Sequence, residues 1–141
     1  MIDGFDMQLG KIPSRDFLLA ALAKAYDIHS DEINLQYLHN FDLSAPARNL
    51  FCLVTENDEN DQFPVLLTLS SCETELDNDT TTIASKLSDA LKISAPISNK
   101  SIYDDGTMLM ISGFEPPKLV ILREEYDKIL GKNKYFLESY D

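Results

Sequence analysis

The 141-residue sequence predicts an α+β fold in which two main helices cover an antiparallel sheet. Apolar residues recur at helical spacing over residues 17–26 and 83–91, whereas the apolar runs at 50–54, 63–69, 107–112 and 118–123 have the length of strands. No internal repeat and no Gly/Ser linker divides the chain, so residues 1–141 are expected to form one globular domain. Hydrophobic residues make up 44% and charged residues 26%, the composition of a folded protein with an ordinary core.

The first helix follows Pro13. Ser14 is placed to cap it, and Phe17, Leu18, Ala21, Leu22, Ala25 and Tyr26 mark its apolar spacing. Ile33, Leu35 and Tyr37 then alternate with polar residues, which predicts a half-buried strand, although Ser30, Asp31 and Glu32 would also start a short helix. Two continuous apolar runs, 50–54 and 63–69, read as the strands of a hairpin. They need cover on both faces, or along one face and an end. Asp79 or Thr80 caps the second helix, which directs Ile83, Leu87, Ala90 and Leu91 inward and stops before Pro96. Strands at 107–112 and 118–123 flank the turn from Gly113 to Pro117, and 124–130 reads as a short helix with Gly131 ready to end it. The expected order is therefore α-β-β-β-α-β-β plus a short C-terminal helix, with an aromatic tail that docks.

Charge is the most informative functional feature. Residues 49–85 contain no lysine or arginine but carry Glu56, Asp58, Glu59, Asp61, Glu73, Glu75, Asp77 and Asp79. Without these eight of its 24 acids the chain would hold 16 acids against 12 bases, a net charge of −4 instead of −12. A local field of one sign attracts a cationic protein surface and repels a phosphate backbone, so nucleic acid is not an expected partner. Solvation of a small domain by an acidic face is the simpler alternative. The expected contacts are Glu56, Asp58, Glu59 and Asp61 in the loop between the hairpin strands, and Glu73, Glu75 and Asp77 beyond the second strand. The apolar run between the two groups spans about 23 Å if extended, so one partner need not cover both.

Motifs for chemistry are missing or incomplete. His29 and His39 lie ten residues apart with no zinc-type spacing, and Cys52 and Cys72 form no CxxC pair and read as free structural thiols. Asp77, Asn78 and Asp79 begin like a calcium loop. Thr82 then stands where the loop needs glycine and Ser88 where it needs a bidentate glutamate, so a helix cap is the better reading. No nucleophile elbow or phosphate-cradling glycine loop is present, and Asp104, Asp105 and Gly106 read as a turn. Lys118, Arg123, Lys128, Lys132 and Lys134 are interleaved with acids as a mixed surface. No enzyme activity, cofactor or metal is expected. The N-terminal residues lack the charged and apolar regions of a signal peptide, and no apolar run reaches membrane-span length, so the expected location is cytoplasmic.

The succession of FLLAALAKAY in the first helix, then QFPVLL, IASKLSDAL and DGTMLMI, resembles small immunity proteins of bacterial polymorphic toxin and contact-dependent growth inhibition systems. The resemblance covers about residues 15 to 130 as an order of elements. It implies a cytosolic inhibitor that binds the toxic C-terminal domain of a cognate toxin, often a nuclease, and it carries over no catalytic residues. An acidic adaptor or a secretion chaperone for a basic protein is the alternative.

Overall fold

The computed structural model describes residues 3–42, 49–56, 63–71, 80–98, 107–129 and 131–139. Among them, eight strands and two helices follow one another as β1 (Asp3–Leu9), α1 (Arg15–Tyr26), β2 (Ile33–Tyr37), β3 (Leu50–Glu56), β4 (Val65–Ser71), α2 (Thr80–Leu91), β5 (Ser94–Ser98), β6 (Thr107–Ser112), β7 (Lys118–Asp127) and β8 (Lys132–Ser139). The strands form one mixed sheet in the order β2-β3-β4-β1-β5-β6-β7-β8.

The α+β class, the two main helices and the β3–β4 hairpin agree with the sequence reading, but the order and the purely antiparallel sheet do not. The chain begins with a strand: β1 inserts between β4 and β5, antiparallel to both. Phe5, Met7 and Leu9 alternate with Gly4, Asp6 and Gln8, a strand period. Gly4 is required by close approach, because a Cβ there would run into the Leu69 carbonyl of β4. β2 pairs parallel to β3, from Ile33↔Leu50 to Tyr37↔Val54. The connection over residues 38–49 is long enough to return the chain to the start of the sheet, as parallel pairing demands.

Two further corrections fall in the C-terminal half. Pro96 does not stop α2 but sits within β5, opposite Met110 of β6. Pairing toward β1 on the other side is confined to Met7↔Ile97, and proline is tolerated where a ladder is interrupted. The expected helix at 124–130 is instead the end of β7, through Asp127, followed by a turn at Lys128 and Ile129, and the tail expected to dock supplies β8, which pairs with β7; Leu130 and Tyr140 lie outside the described residues. Helical spacing of Tyr126, Ile129 and Leu130 is overridden by pairing with the following segment. The register sets Glu125 opposite Lys134 and Asp127 opposite Lys132, and Gly131 at φ +68° serves a hairpin turn as readily as a helix end.

Both helices are closed by local chemistry. The Ser14 hydroxyl accepts from the Phe17 N–H at 3.3 Å and starts α1. At the other end Asp27 turns left-handed (φ 54°), and the Ile28 N–H reaches back to the Ala23 carbonyl at 3.0 Å. α2 ends the same way, with Lys92 at φ 59° and the Ile93 N–H on the Ser88 carbonyl at 3.2 Å. The expected choice at Ser30 resolves into both alternatives, a 3-10 turn over Ser30–Glu32 that runs directly into β2.

The helices pack on each other and on one face of the sheet. Directly paired residues share a face, and the row Tyr37, Val54, Leu67, Met7, Ile97, Leu109 and Leu119 crosses seven strands with its central members fully buried. A single buried cluster joins the row from Val54 to Ile97 to Leu18 and Leu22 of α1 and to Ile83 and Leu87 of α2, with Tyr37 and Leu109 packed against it. On the opposite face Phe51, Leu53, Leu66 and Thr68 are half-buried, so the apolar runs of β3 and β4 have helical cover on one side.

Candidate functional site

Strand direction sorts the loops into two ends. If β1 is taken to run upward, the upper end holds residues 10–14, the start of α1, the segment after Tyr37, the attachment points of the β3–β4 loop at Glu56 and Phe63, and the turn from Gly113 to Pro117. The lower end holds residues 27–32, the point where the chain leaves β4 after Ser71, and the β7–β8 turn.

This sorting separates the sequence-predicted contacts. Glu56 is exposed at the upper end, opposite Val65. Asp58, Glu59 and Asp61 lie outside the described residues, within a segment that departs from Glu56 and rejoins at Phe63. Glu73, Glu75 and Asp77 also lie outside the described residues, in the segment between Ser71 and Thr80. The Val65 and Ser71 ends of β4 are about 20 Å apart along an extended strand, so the two acidic segments leave the sheet at opposite ends.

The upper end also contains a cleft of about 700 Å³, lined by Arg15, Leu35, Gln36, Tyr37, Asn40, Phe41 and Asp42. It wraps the edge of the sheet, because β2 is the outermost strand. Arg15, at the first position of α1, donates from Nη1 to the Leu35 carbonyl at 3.1 Å, and its guanidinium carbon lies 5.9 Å from the centre of the Tyr37 ring. Gln36 fixes the far wall. Its amide nitrogen donates to Asn34 Oδ1 at 2.8 Å, and its oxygen accepts from the Asp42 N–H at 3.2 Å. Phe41 meets Phe51 edge to face at 6.1 Å, which anchors the segment that closes the cleft. Of its lining Phe41 is 41% exposed, and Ile12, Phe17 and Leu38, in other segments of this end, are between 41% and 56% exposed. Phe17 was expected on the apolar side of α1, but it is half exposed, because it stands about 100° round the helix from Leu18, whose side faces the core.

The groups best known for chemistry are used structurally. His29 precedes β2 and His39 follows it, so the strand holds them apart. The His29 Nδ1 accepts from the Asp31 N–H at 3.3 Å, while Glu32 accepts from the His29 N–H at 2.9 Å, a reciprocal cap of the 3-10 turn. The ring of His39 stands 5.9 Å from Tyr37. Among the described residues no group of three or more His, Cys, Asp or Glu is placed to hold a metal ion. Cys52 is a free, fully buried thiol, and burial pushes its pKa up to about 12, away from the thiolate a nucleophile needs. Burial, and secondarily the neighbouring Cys52, also raises the pKa of the Tyr26 hydroxyl. Cys72, the Asp77–Asp79 stretch and the turn at Asp104 lie outside the described residues.

A second, shallower depression of about 350 Å³ lies between the end of α2 and the β6–β7 turn. Its buried Ser88 hydroxyl bonds the Ile93 carbonyl and accepts from the Gly113 N–H at 2.9 Å, with Ser94 and Ser112 joined through their hydroxyls at 2.8 Å. No histidine lines it, so Ser88 has no adjacent imidazole base and acts as a fastener.

The described residues define a class, a two-layer α+β protein with a mixed sheet and an open cleft at one sheet edge. Beyond that class, comparison with family models, curated proteins and solved structures finds no match. Among the described residues, no helix is long and apolar enough to cross a membrane.

Proposed function

We propose that this chain is an immunity-type inhibitor, a non-enzymatic cytoplasmic protein that binds the basic, nuclease-type C-terminal domain of a cognate toxin and neutralises it. The observation that carries this reading is the run of eight carboxylates without a base over residues 49–85. A nuclease holds phosphates in a basic groove, and a carboxylate array competes for that groove or covers the surface beside it. Close charge pairs across an interface couple by about 1.5 to 7 kcal/mol, so a few contacts suffice for tight inhibition. Glu56, Asp58, Glu59 and Asp61 form one contact group, and Glu73, Glu75 and Asp77 the other. The β3–β4 hairpin supports the proposal by fixing the register at the base of the first group, from Leu50↔Ser71 to Glu56↔Val65.

Co-expression with the protein encoded immediately upstream tests this. The expected outcome is rescue of cells from its toxicity together with a one-to-one complex. A toxic upstream product that kills equally well in the presence of this chain would overturn the reading, and a complex in which the partner keeps its activity would mark a chaperone or adaptor.

A further inference from the structure

β8 is the outermost strand on one side of the sheet, and its neighbour β7 is supported over only part of its length. Pairing between β6 and β7 runs from Lys118 to Ile121, whereas β7 and β8 pair from Val120 to Asp127. Among the described residues, the hairpin beyond Ile121 is therefore a two-stranded ribbon, an arrangement that is marginal in water without a further strand. The outer side of β8 turns the backbone N–H and C=O groups of alternate residues away from β7 over Lys132–Ser139, and neither proline nor glycine interrupts them.

We infer that β8 is the contact strand of a homodimer, in which the β8 strands of two copies pair antiparallel about a two-fold axis and join the two sheets into one. Such an axis stands normal to the sheet and sets one residue opposite its own copy, so the possible registers are few. Charge chooses among them. Centring on Asn133 or Lys134 brings lysine opposite lysine, Lys132 against Lys134 or Lys134 against itself. Centring on Tyr135 or Phe136 sets Glu138 opposite Lys132 or Lys134 of the second copy, and each such pair occurs twice. These two registers also give the longest ladders, seven residues over 132–138 or 133–139. Lysine on an edge strand ordinarily keeps copies apart, and here Glu138 answers it only in the registers that pair most of the strand. The hairpin itself sets Lys132 and Lys134 opposite Asp127 and Glu125 but sets Glu138 opposite Ile121, so the lysine directly opposed to Glu138 comes from the second copy. A two-fold normal to the sheet does not turn it over, so the helices of both copies lie on one face, with the upper end of each copy beside the lower end of the other.

Sedimentation equilibrium of the purified chain alone, over a range of concentrations, tests the pairing. A reversible species of twice the 15.9 kDa chain mass is expected. Glu138→Lys is expected to raise its dissociation constant about tenfold or more at low salt, because both symmetry-related pairs change from opposite to like charge, and high salt should shrink the increase. The position opposite Ile121 leaves the Lys132 and Lys134 pairings of the hairpin unaltered, and an unchanged melting temperature at monomeric concentration checks the fold. Amide exchange on the unaltered chain gives a second reading that needs no variant: alternate amides of β8 slow as concentration rises, and those of β2 do not. A chain that stays monomeric, a dimer that Glu138→Lys leaves intact, or a dimer in which β2 gains the protection overturns the assignment. The inhibitor reading is independent of these outcomes, because a monomer or a dimer whose copies each carry a toxin domain keeps the one-to-one ratio.

Discussion

β4 and β7 are both strands of the same sheet, but they are held in different ways. β4 is paired along its whole length on both sides, to β3 and to β1, and its Leu67 and Leu69 are fully buried beneath the helices. β7 pairs with β6 only over Lys118 to Ile121; among the described residues its remainder, through Asp127, pairs with β8 alone. A two-stranded ribbon is marginal on its own, so the β7–β8 hairpin depends on its upper root. The difference separates a stability centre from an appendage whose surface can change at little cost.

Three substitutions sharpen that contrast. The largest effect belongs to Leu67→Ala, which removes a fully buried side chain from the centre of the seven-strand row; a loss of about 2 to 5 kcal/mol in urea denaturation is expected. Ser88→Ala comes next, because it leaves the Gly113 N–H without its acceptor and unfastens α2 from the β6–β7 turn. A loss of about 1 to 3 kcal/mol is expected, with faster amide exchange in β6 and β7 than in β4. The smallest belongs to Ile129→Ser at the ribbon tip, where the side chain is 94% exposed; thermal melting should shift by the equivalent of less than about 0.5 kcal/mol. If Ile129→Ser costs as much as Leu67→Ala, the comparison is broken and the ribbon is part of the core.

The same contrast governs what was legible in the sequence. Elements shaped by local chemistry are readable: the Ser14 cap, the Thr107–Ser112 strand and the glycine turn at Gly113 all stand where propensity and capping place them. Elements defined by distant partners are not. β1 is a short alternating segment whose place is set by β4 and β5, and the residues after Arg123 carry helical spacing yet form a strand because 132–139 pairs with them. Parallel pairing of β2 with β3 likewise depends on the path of a long connection and not on the strand sequences. The acidic run proposed for contact is written in composition. The cleft is not, because Arg15, Tyr37 and Phe41 come from a helix start, a strand end and a loop, and only the fold brings them together.

The bond from Arg15 to the Leu35 carbonyl bears on how copies of the molecule can assemble. Open-ended growth by edge pairing requires every molecule to offer two free edges. β2 is five residues long and its Leu35 carbonyl already accepts from the Arg15 guanidinium, whereas β8 is eight residues long. Strand addition is therefore favoured at β8, where it would join two copies back to back, over the shorter β2 edge.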